Sequence, residues 1–277
     1  MLVFKKILNK PSAFLIFLIA VVIFSGCDQV DIIDPVNIYK ENVVIRAELV
    51  ANQTFKGVVF TKTLPVGATY SIDIAELRDV EAYIKVNGTQ VIPLHYAGNG
   101  LYKPLYDYKI VPGAYYELFA NHYGDPIYSI TYVPDIPEIN SVSFRSESFF
   151  LQAEVRAKQN ESHGATWVYN NGTSGVITSD DFYSIEKLPS NLSDGNLNVR
   201  TQTIPEEYRS GGNFSGLYIK IYAFDKAFKI YFKTKRNGKA IEDSFIHGGD
   251  NIGWNVTGMN AIGLFIGYSV SNAMQPK

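Results

Sequence analysis

The sequence predicts an all-β protein built as two immunoglobulin-like β-sandwich domains. Three observations point there. From Asn42 onward, apolar residues alternate with polar ones in short runs, the period of half-buried strands. Turn-forming pairs such as Asn87-Gly88 and Pro112-Gly113 break those runs at roughly 8–12-residue intervals, the spacing of an antiparallel sandwich. After the N-terminal apolar stretch, no segment of ten or more residues keeps a helical period.

The chain opens differently. Lys5, Lys6 and Lys10 precede an apolar run of 11 residues, Phe14–Phe24, and Ser25-Gly26-Cys27 follows. A positive start, a short apolar run and a small-residue cleavage site are the parts of a secretory signal peptide, here residues 1–26. Eleven residues fall short of the roughly 20 that span a bilayer core. Cys27 is the only cysteine. Phe24-Ser25-Gly26-Cys27 resembles a lipobox, with Phe24 where leucine is usual. The resemblance implies a lipoprotein signal: a thioether-linked lipid on Cys27, cleavage before it, and acylation of the new amino terminus. The plain alternative is an ordinary signal peptide with an incidental cysteine. Two or more acyl chains hold a protein stably at a membrane, whereas one binds marginally. No cysteine then remains for a disulfide, so the fold rests on burial alone.

Removing residues 1–26 leaves 251 residues and shifts the formal charge from −2 to about −5, because the removed piece has three lysines and no acids. With no basic run or stripe, nucleic acid is not an expected partner. Apolar residues make up 46% of the chain, enough for one or two cores. The 19 tyrosines and 17 phenylalanines suit pleated, half-buried surfaces. They also suit carbohydrate- and protein-binding faces, although sheet packing accounts for most of them.

Residues 27–41 read as the lipidated cysteine and an acidic tether, with Asp28, Asp31, Asp34 and Pro35. Acidic residues at this place resemble an inner-membrane retention mark in enteric bacteria and a surface-export mark in Bacteroidota-type bacteria. A tether also simply needs polar residues. Residues 42–134 form the expected N-terminal sandwich. Its strands are expected at Val43–Val50, Gly57–Thr63, Thr69–Ile74, Val80–Val86, Thr89–Tyr96, Leu101–Tyr106, Tyr115–Tyr123 and Tyr128–Val133. Asn87-Gly88 between two runs predicts a type I′ hairpin. Gly98-Asn99-Gly100 predicts a second turn and Pro112-Gly113 a third.

Pro134 and Pro137 favour extended backbone and place a boundary near Val133–Glu138. Residues 135–277 form the expected C-terminal β-rich domain. Strands are expected at Ser141–Phe144, Phe149–Ala157, Phe214–Phe224, Ala227–Lys235 and Ala261–Val270. The segment FKIYFKTK (Phe228–Lys235) alternates Phe228, Ile230 and Phe232 with polar residues, which predicts one buried face. Gln159–Gly175 reads as polar and turn-rich. Ser179–Tyr183 and Pro205–Tyr208 each predict a single helical turn. Asn237-Gly238 predicts another hairpin.

Several of these pieces, in order, resemble one family. NVVIRAEL (Asn42–Leu49) opens the domain, and VEAYIKVNG (Val80–Gly88), LYKPLYDYKIVPGAYYEL (Leu101–Leu118) and ITYVPDIPEINSVSF (Ile130–Phe144) follow. DNIGWN (Asp250–Asn255) and AIGLFIGYS (Ala261–Ser269) come near the end. This order resembles the Bacteroidota lipoproteins catalogued as domain of unknown function 4249, with little match over Gln159–Ser210. The resemblance implies an outer-membrane or surface lipoprotein, two β domains, and a link to TonB-dependent outer-membrane transport. It implies no catalytic residues.

The residues themselves point to no chemistry. His95, His122, His163 and His247 show no metal-ligand spacing. A site joining them with Asp180, Asp181 or Asp250 has no support in the spacing. There is no Gly-x-Ser-x-Gly and no P-loop. Carboxylates are plentiful, which leaves a glycosidase pair open. Asp243–Gly253 has oxygen ligands and glycines but lacks the regular spacing of a calcium loop. Trp167, Tyr169 and Trp254 form a candidate binding platform for sugar or peptide, with core packing as the alternative. The expectation is a non-enzymatic, surface-anchored accessory or binding lipoprotein without a cofactor. It is attached to the membrane through Cys27 and partnered with a TonB-dependent barrel. The alternatives are a glycan- or protein-binding adhesin and a surface hydrolase.

Overall fold

A computed structural model describes residues 39–65, 67–170, 172, 175–209, 216–236 and 252–276. The expected signal peptide, Cys27, most of the tether, and the Asn237-Gly238 turn lie outside these residues. Among the described residues, no helix is long and apolar enough to cross a membrane.

The first strand shows why the chain is β. In β1 (Val43–Val50), Val43, Ile45, Ala47 and Leu49 are buried while Arg46 and Glu48 are exposed. β1 pairs antiparallel with β2 (Val58–Lys62). The next expected strand, Thr69–Ile74, is instead a helical turn, α1 (Ile72–Ala75). Extended Ser71 precedes it and accepts the Ala75 N–H at 3.0 Å. Asp73 in the first turn suits a helix N-terminus. Ile74 stays 58% exposed, so the apparent alternation has no face to bury.

β3 (Val80–Val86) and β4 (Gln90–Tyr96) form the expected hairpin. Asn87 and Gly88 both take positive φ, 46° and 71°, and the Thr89 N–H donates to the Val86 carbonyl at 3.1 Å. Those are the marks of a type I′ turn. β5 (Leu101–Lys103), β6 (Ala114–His122) and β7 (Asp125–Val133) complete this half of the chain.

Beyond it run β8 (Glu138–Arg145), β9 (Phe150–Lys158), β10 (Glu161–Asn170), β11 (Val176–Thr178), β12 (Asp194–Arg200) and β13 (Leu217–Asp225). The expected turn at Pro205–Tyr208 is a 3₁₀ turn over Glu206–Tyr208, whereas Ser179–Tyr183 forms no helix. The polar stretch read as turns is β10, a central strand paired with β11 and β13. Eight of its ten residues are buried, so composition misleads there. Some of its polar groups are taken up locally, while His163 Nδ1, Thr166 Oγ1 and Trp167 Nε1 find no partner among the described residues. The Ser162 hydroxyl donates to the Asp225 carbonyl at 3.1 Å, and His163 and Glu186 exchange both backbone hydrogen bonds.

The expected strand over Ala227–Lys235 is a helix, α2 (Phe228–Arg236). Phe228, Tyr231 and Phe232 also fit helical spacing, and tertiary packing selects it. Phe228 stacks on Phe224 at 4.0 Å, and Phe232 is 7% exposed, whereas Ile230 is 61% exposed. The Asp225 carboxylate accepts the Ala227 N–H at 2.7 Å and turns the chain into the helix. β14 (Val256–Thr257) and β15 (Ala261–Val270) follow.

Among the described residues, twelve strands join in the order β11-β10-β13-β15-β1-β2-β5-β4-β3-β6-β7-β14, and β12-β9-β8 form a second sheet. The large sheet narrows to two residue pairs at β2–β5 and at β4–β5. There it folds over, because Ile45, Phe60, Ile84, Leu118 and Phe265 share one core. A second core lies between the small sheet and β10–β13, around Leu151, Val155, Trp167, Ile219 and Ile221. A third cluster packs α2 and Phe182 on the outer face of β13 and β15. Each fully buried Ile, Leu or Phe contributes about 1.5–3 kcal/mol. The fold is thus an all-β sandwich architecture.

The cores change over near Val133–Glu138, but the segments on either side are not separate. Glu41–Lys277 is one compact unit. β15 pairs parallel with all eight residues of β1, and β14 extends β7. A division into residues 42–134 and 135–277 therefore removes Val256 and Phe265 from the first core.

Candidate interaction surface

Strands β3, β4, β6 and β7 turn one face to the first core and the other outward. On a wet face, alternation places polar residues outward. Here the outward positions include Tyr83, Val91, Pro93, Tyr115, Phe119 and Ile130. Register brings four of the outward residues into one row. Pro93 lies opposite Tyr83, Tyr83 opposite Phe119, and Phe119 opposite Tyr128. A cavity of about 690 Å³ opens over this row.

Ring geometry decides what the row offers. The Tyr83 and Phe119 centroids are 5.0 Å apart with planes 13° from parallel, so the rings overlap face to face. Phe119 meets Tyr128 at 5.1 Å and 59°, and Lys85 Nζ lies 5.2 Å from the Phe119 centroid. Tyr83 thus has one face engaged by Phe119, and Phe119 is engaged by Tyr83, Tyr128 and Lys85 together. Polar groups flank the row. The Tyr128 hydroxyl donates to Glu117 at 3.1 Å, and burial, then this bond, raises the Tyr128 pKa above its ordinary value. Tyr83 and Ile130 are 37% and 44% exposed. An apolar face of this kind marks an interaction site more often than a bare monomer surface.

The sequence-predicted platform does not assemble. Trp167 is 5% exposed and belongs to the second core, on the same face of β10 as Ala165. Tyr169 packs against that core, and Tyr208 meets both rings, at 5.5 and 5.1 Å. Trp254 lies elsewhere, against Tyr231 of α2 at 5.6 Å. His95 is exposed on β4, and His122 contacts Tyr123. Asp180 and Asp181 fall in bends, while His247, Asp250 and most of Asp243–Gly253 lie outside the described residues. Among the described residues, no group of three or more His, Cys, Asp or Glu side chains is placed to hold a metal.

One polar cluster went unforeseen. Glu161 and His163, two apart on β10, face inward at the end of the second core, 4% and 1% exposed. They border a cavity of about 330 Å³ with Asp135, Arg156 and Lys158. The Lys158 ammonium donates to Asp135 at 2.8 Å. His163 Nε2 is 3.8 Å from Glu161 Oε2, beyond hydrogen-bond reach. Burial lowers the His163 pKa to about 4, so the ring is neutral at pH 7. Burial likewise raises that of Glu161. A Glu-x-His pair in a strand was the available signal, hidden because the segment was not read as a strand.

A second buried acid ties the first core together. Glu76 accepts from Tyr96 at 2.5 Å, from the Gly100 N–H at 3.0 Å, and from Arg78. The Tyr96 bond, then the Arg78 bond, holds its carboxyl below the usual range. No protein-family model matches this chain, and a search of curated proteins finds no match.

Proposed function

We propose that the protein is a lipid-anchored, non-enzymatic binding protein of the outer membrane, an accessory component of a TonB-dependent uptake or other envelope complex. Cys27 carries the anchor, and the outer face of β3, β4, β6 and β7 docks a protein partner. The observation that carries this reading is the Tyr83–Phe119–Tyr128 ladder on an outward sheet face. A pyranose ring stacks on an open aromatic face, whereas Tyr83 and Phe119 turn faces to each other. The stacked rings and the flanking Glu117 and Lys85 suit a polypeptide surface, with apolar centre and polar rim. Lipidation raises the concentration of that face near a membrane partner.

A photo-crosslinking residue at Tyr83 in intact cells tests the reading, with one at Asp180 as control. Capture of an outer-membrane barrel from Tyr83 alone supports it. Capture of no protein from either position, or release of neither lipid nor chain from the membrane in Cys27→Ala, overturns it. Protease shaving of the same cells reports which side of the membrane the domain faces.

A further inference from the structure

The groove beside the start of β1 combines features of a membrane contact. It has a volume of about 740 Å³ and runs along the outward side of β1 and β15 to α2. Its apolar wall holds Leu264, Tyr231 and Trp254, and its rim holds Arg46 and Lys62. Tyr70 projects beside it, 65% exposed, and Trp254 is 37% exposed. Lys235 reaches the Tyr231 ring, with Nζ 6.0 Å from the centroid.

The charges are directional. Glu48 is the one acid lining the groove among the described residues, and the Tyr268 hydroxyl donates to it at 3.2 Å. Glu41 pairs with Lys62 at 3.3 Å. Arg46 has no ion pair among the described residues, and α2 carries three lysines and no acid. Tryptophan and tyrosine beside exposed cations are the composition of a membrane–water interface.

The opening strand of the fold also starts here. Val43 donates its N–H to the Asn260 carbonyl at 2.7 Å, and the Asn42 N–H reaches Thr63 Oγ1 at 3.0 Å. The groove begins at the very next residue, Val44. From Cys27 to Glu41 the chain spans at most about 50 Å. The segment that joins the expected tether to β1 therefore borders the groove.

We infer that this groove and α2 rest on an anionic bilayer surface. Arg46, Lys62 and Lys235 meet headgroup phosphates, and Trp254 and Tyr70 enter the interfacial layer. The inference shares a membrane location with the proposed function but needs neither the lipid nor the partner, so the two fail separately.

The test uses the chain from Asp28 onward, produced without lipid, and Trp167→Phe leaves Trp254 as the single tryptophan. It is mixed with vesicles of phosphatidylcholine alone or of phosphatidylcholine and phosphatidylglycerol in equal parts. The expected result is sedimentation with the anionic vesicles only, a blue shift of Trp254 emission, and loss of binding with added salt. Each cation near an anionic surface is worth about 1 kcal/mol, so Arg46→Glu with Lys235→Glu weakens binding at least about twentyfold. Circular dichroism confirms that this variant folds. Binding to neither vesicle, equal binding to both, or unchanged binding of the folded double variant overturns the inference.

Discussion

The backbone N–H of Tyr132 donates to the Asp225 carboxylate at 2.7 Å. One side chain thereby fastens the end of β7 to the end of β13, and its other oxygen starts α2 through Ala227. Burial raises the Asp225 pKa, and the two N–H donors partly offset that. The same strand end places Asp225 opposite Glu161. Two cores that the sequence divides near Pro134 are thus joined by a buried carboxylate.

Asp225→Ala removes both acceptors and leaves two backbone donors short of partners. Hydrogen bonds to charged groups contribute about 1.5–3 kcal/mol each, so a loss of about 2–4 kcal/mol is expected after relief of the buried charge. Asp225→Asn, which keeps one acceptor, loses less. Urea unfolding of the three chains measures the order.

His163 governs stability in mild acid. Its folded pKa, about 4, lies below its ordinary 6.5. Its contribution is complete above pH 6.5 and is lost as pH falls towards 4, because the unfolded chain takes the proton first. The size is about 3 kcal/mol. Glu161 acts in the opposite sense, since its raised pKa makes the folded state hold a proton that the unfolded state releases. Stability from that group falls as pH rises through its ordinary range. His163→Gln should flatten the acid limb of a stability–pH curve, and Glu161→Gln should steepen it. Identical curves for both variants and the parent would disprove the assignment.

Gly263 cannot become alanine cheaply. It lies at φ 139°, and a Cβ there would overlap the Ile45 carbonyl oxygen and stand 2.7 Å from the Ile45 nitrogen. Gly263→Ala therefore breaks the β1–β15 register and costs more than about 3 kcal/mol. Gly88→Ala meets open space at φ 71° and costs about 1 kcal/mol. Thermal melts of the two variants should differ accordingly.

Residues 228–236 provide a test of helix against strand. Phe232→Ala should cost about 3–5 kcal/mol, because the ring is buried. Ile230→Lys, at a position 61% exposed, should change stability by less than about 0.5 kcal/mol. Period-two burial demands similar losses at both positions. Guanidinium titration of the pair settles the comparison.

Strands with one buried face were legible. The bounds of β1, β3 and β15 coincide with those read from alternation, and the Asn87-Gly88 turn took its expected backbone. β10 was not legible, because a strand covered on both faces has no alternation to show, and this one is polar besides. α2 was misread because Phe228 and Phe232, four residues apart, satisfy periods of 2 and 3.6 together, and only Phe224 and Phe182 across the gap decide. The ladder was out of reach for another reason. Tyr83, Phe119 and Tyr128 are distant in sequence, and only strand register makes them neighbours. Trp167 drew notice as a rare residue, but rarity carries no direction, and the ring points inward.

Pairing β1 beside β15 sets the order of events during synthesis. Val43 faces Ala261, and Val50 faces Tyr268. A chain that emerges amino terminus first holds its opening strand without one neighbour until almost the last residue has appeared. Contacts so distant in sequence make folding slow. The first core stays open throughout elongation. Loss of the closing strand is then felt at the far end of the sequence, as an exposed β1 edge.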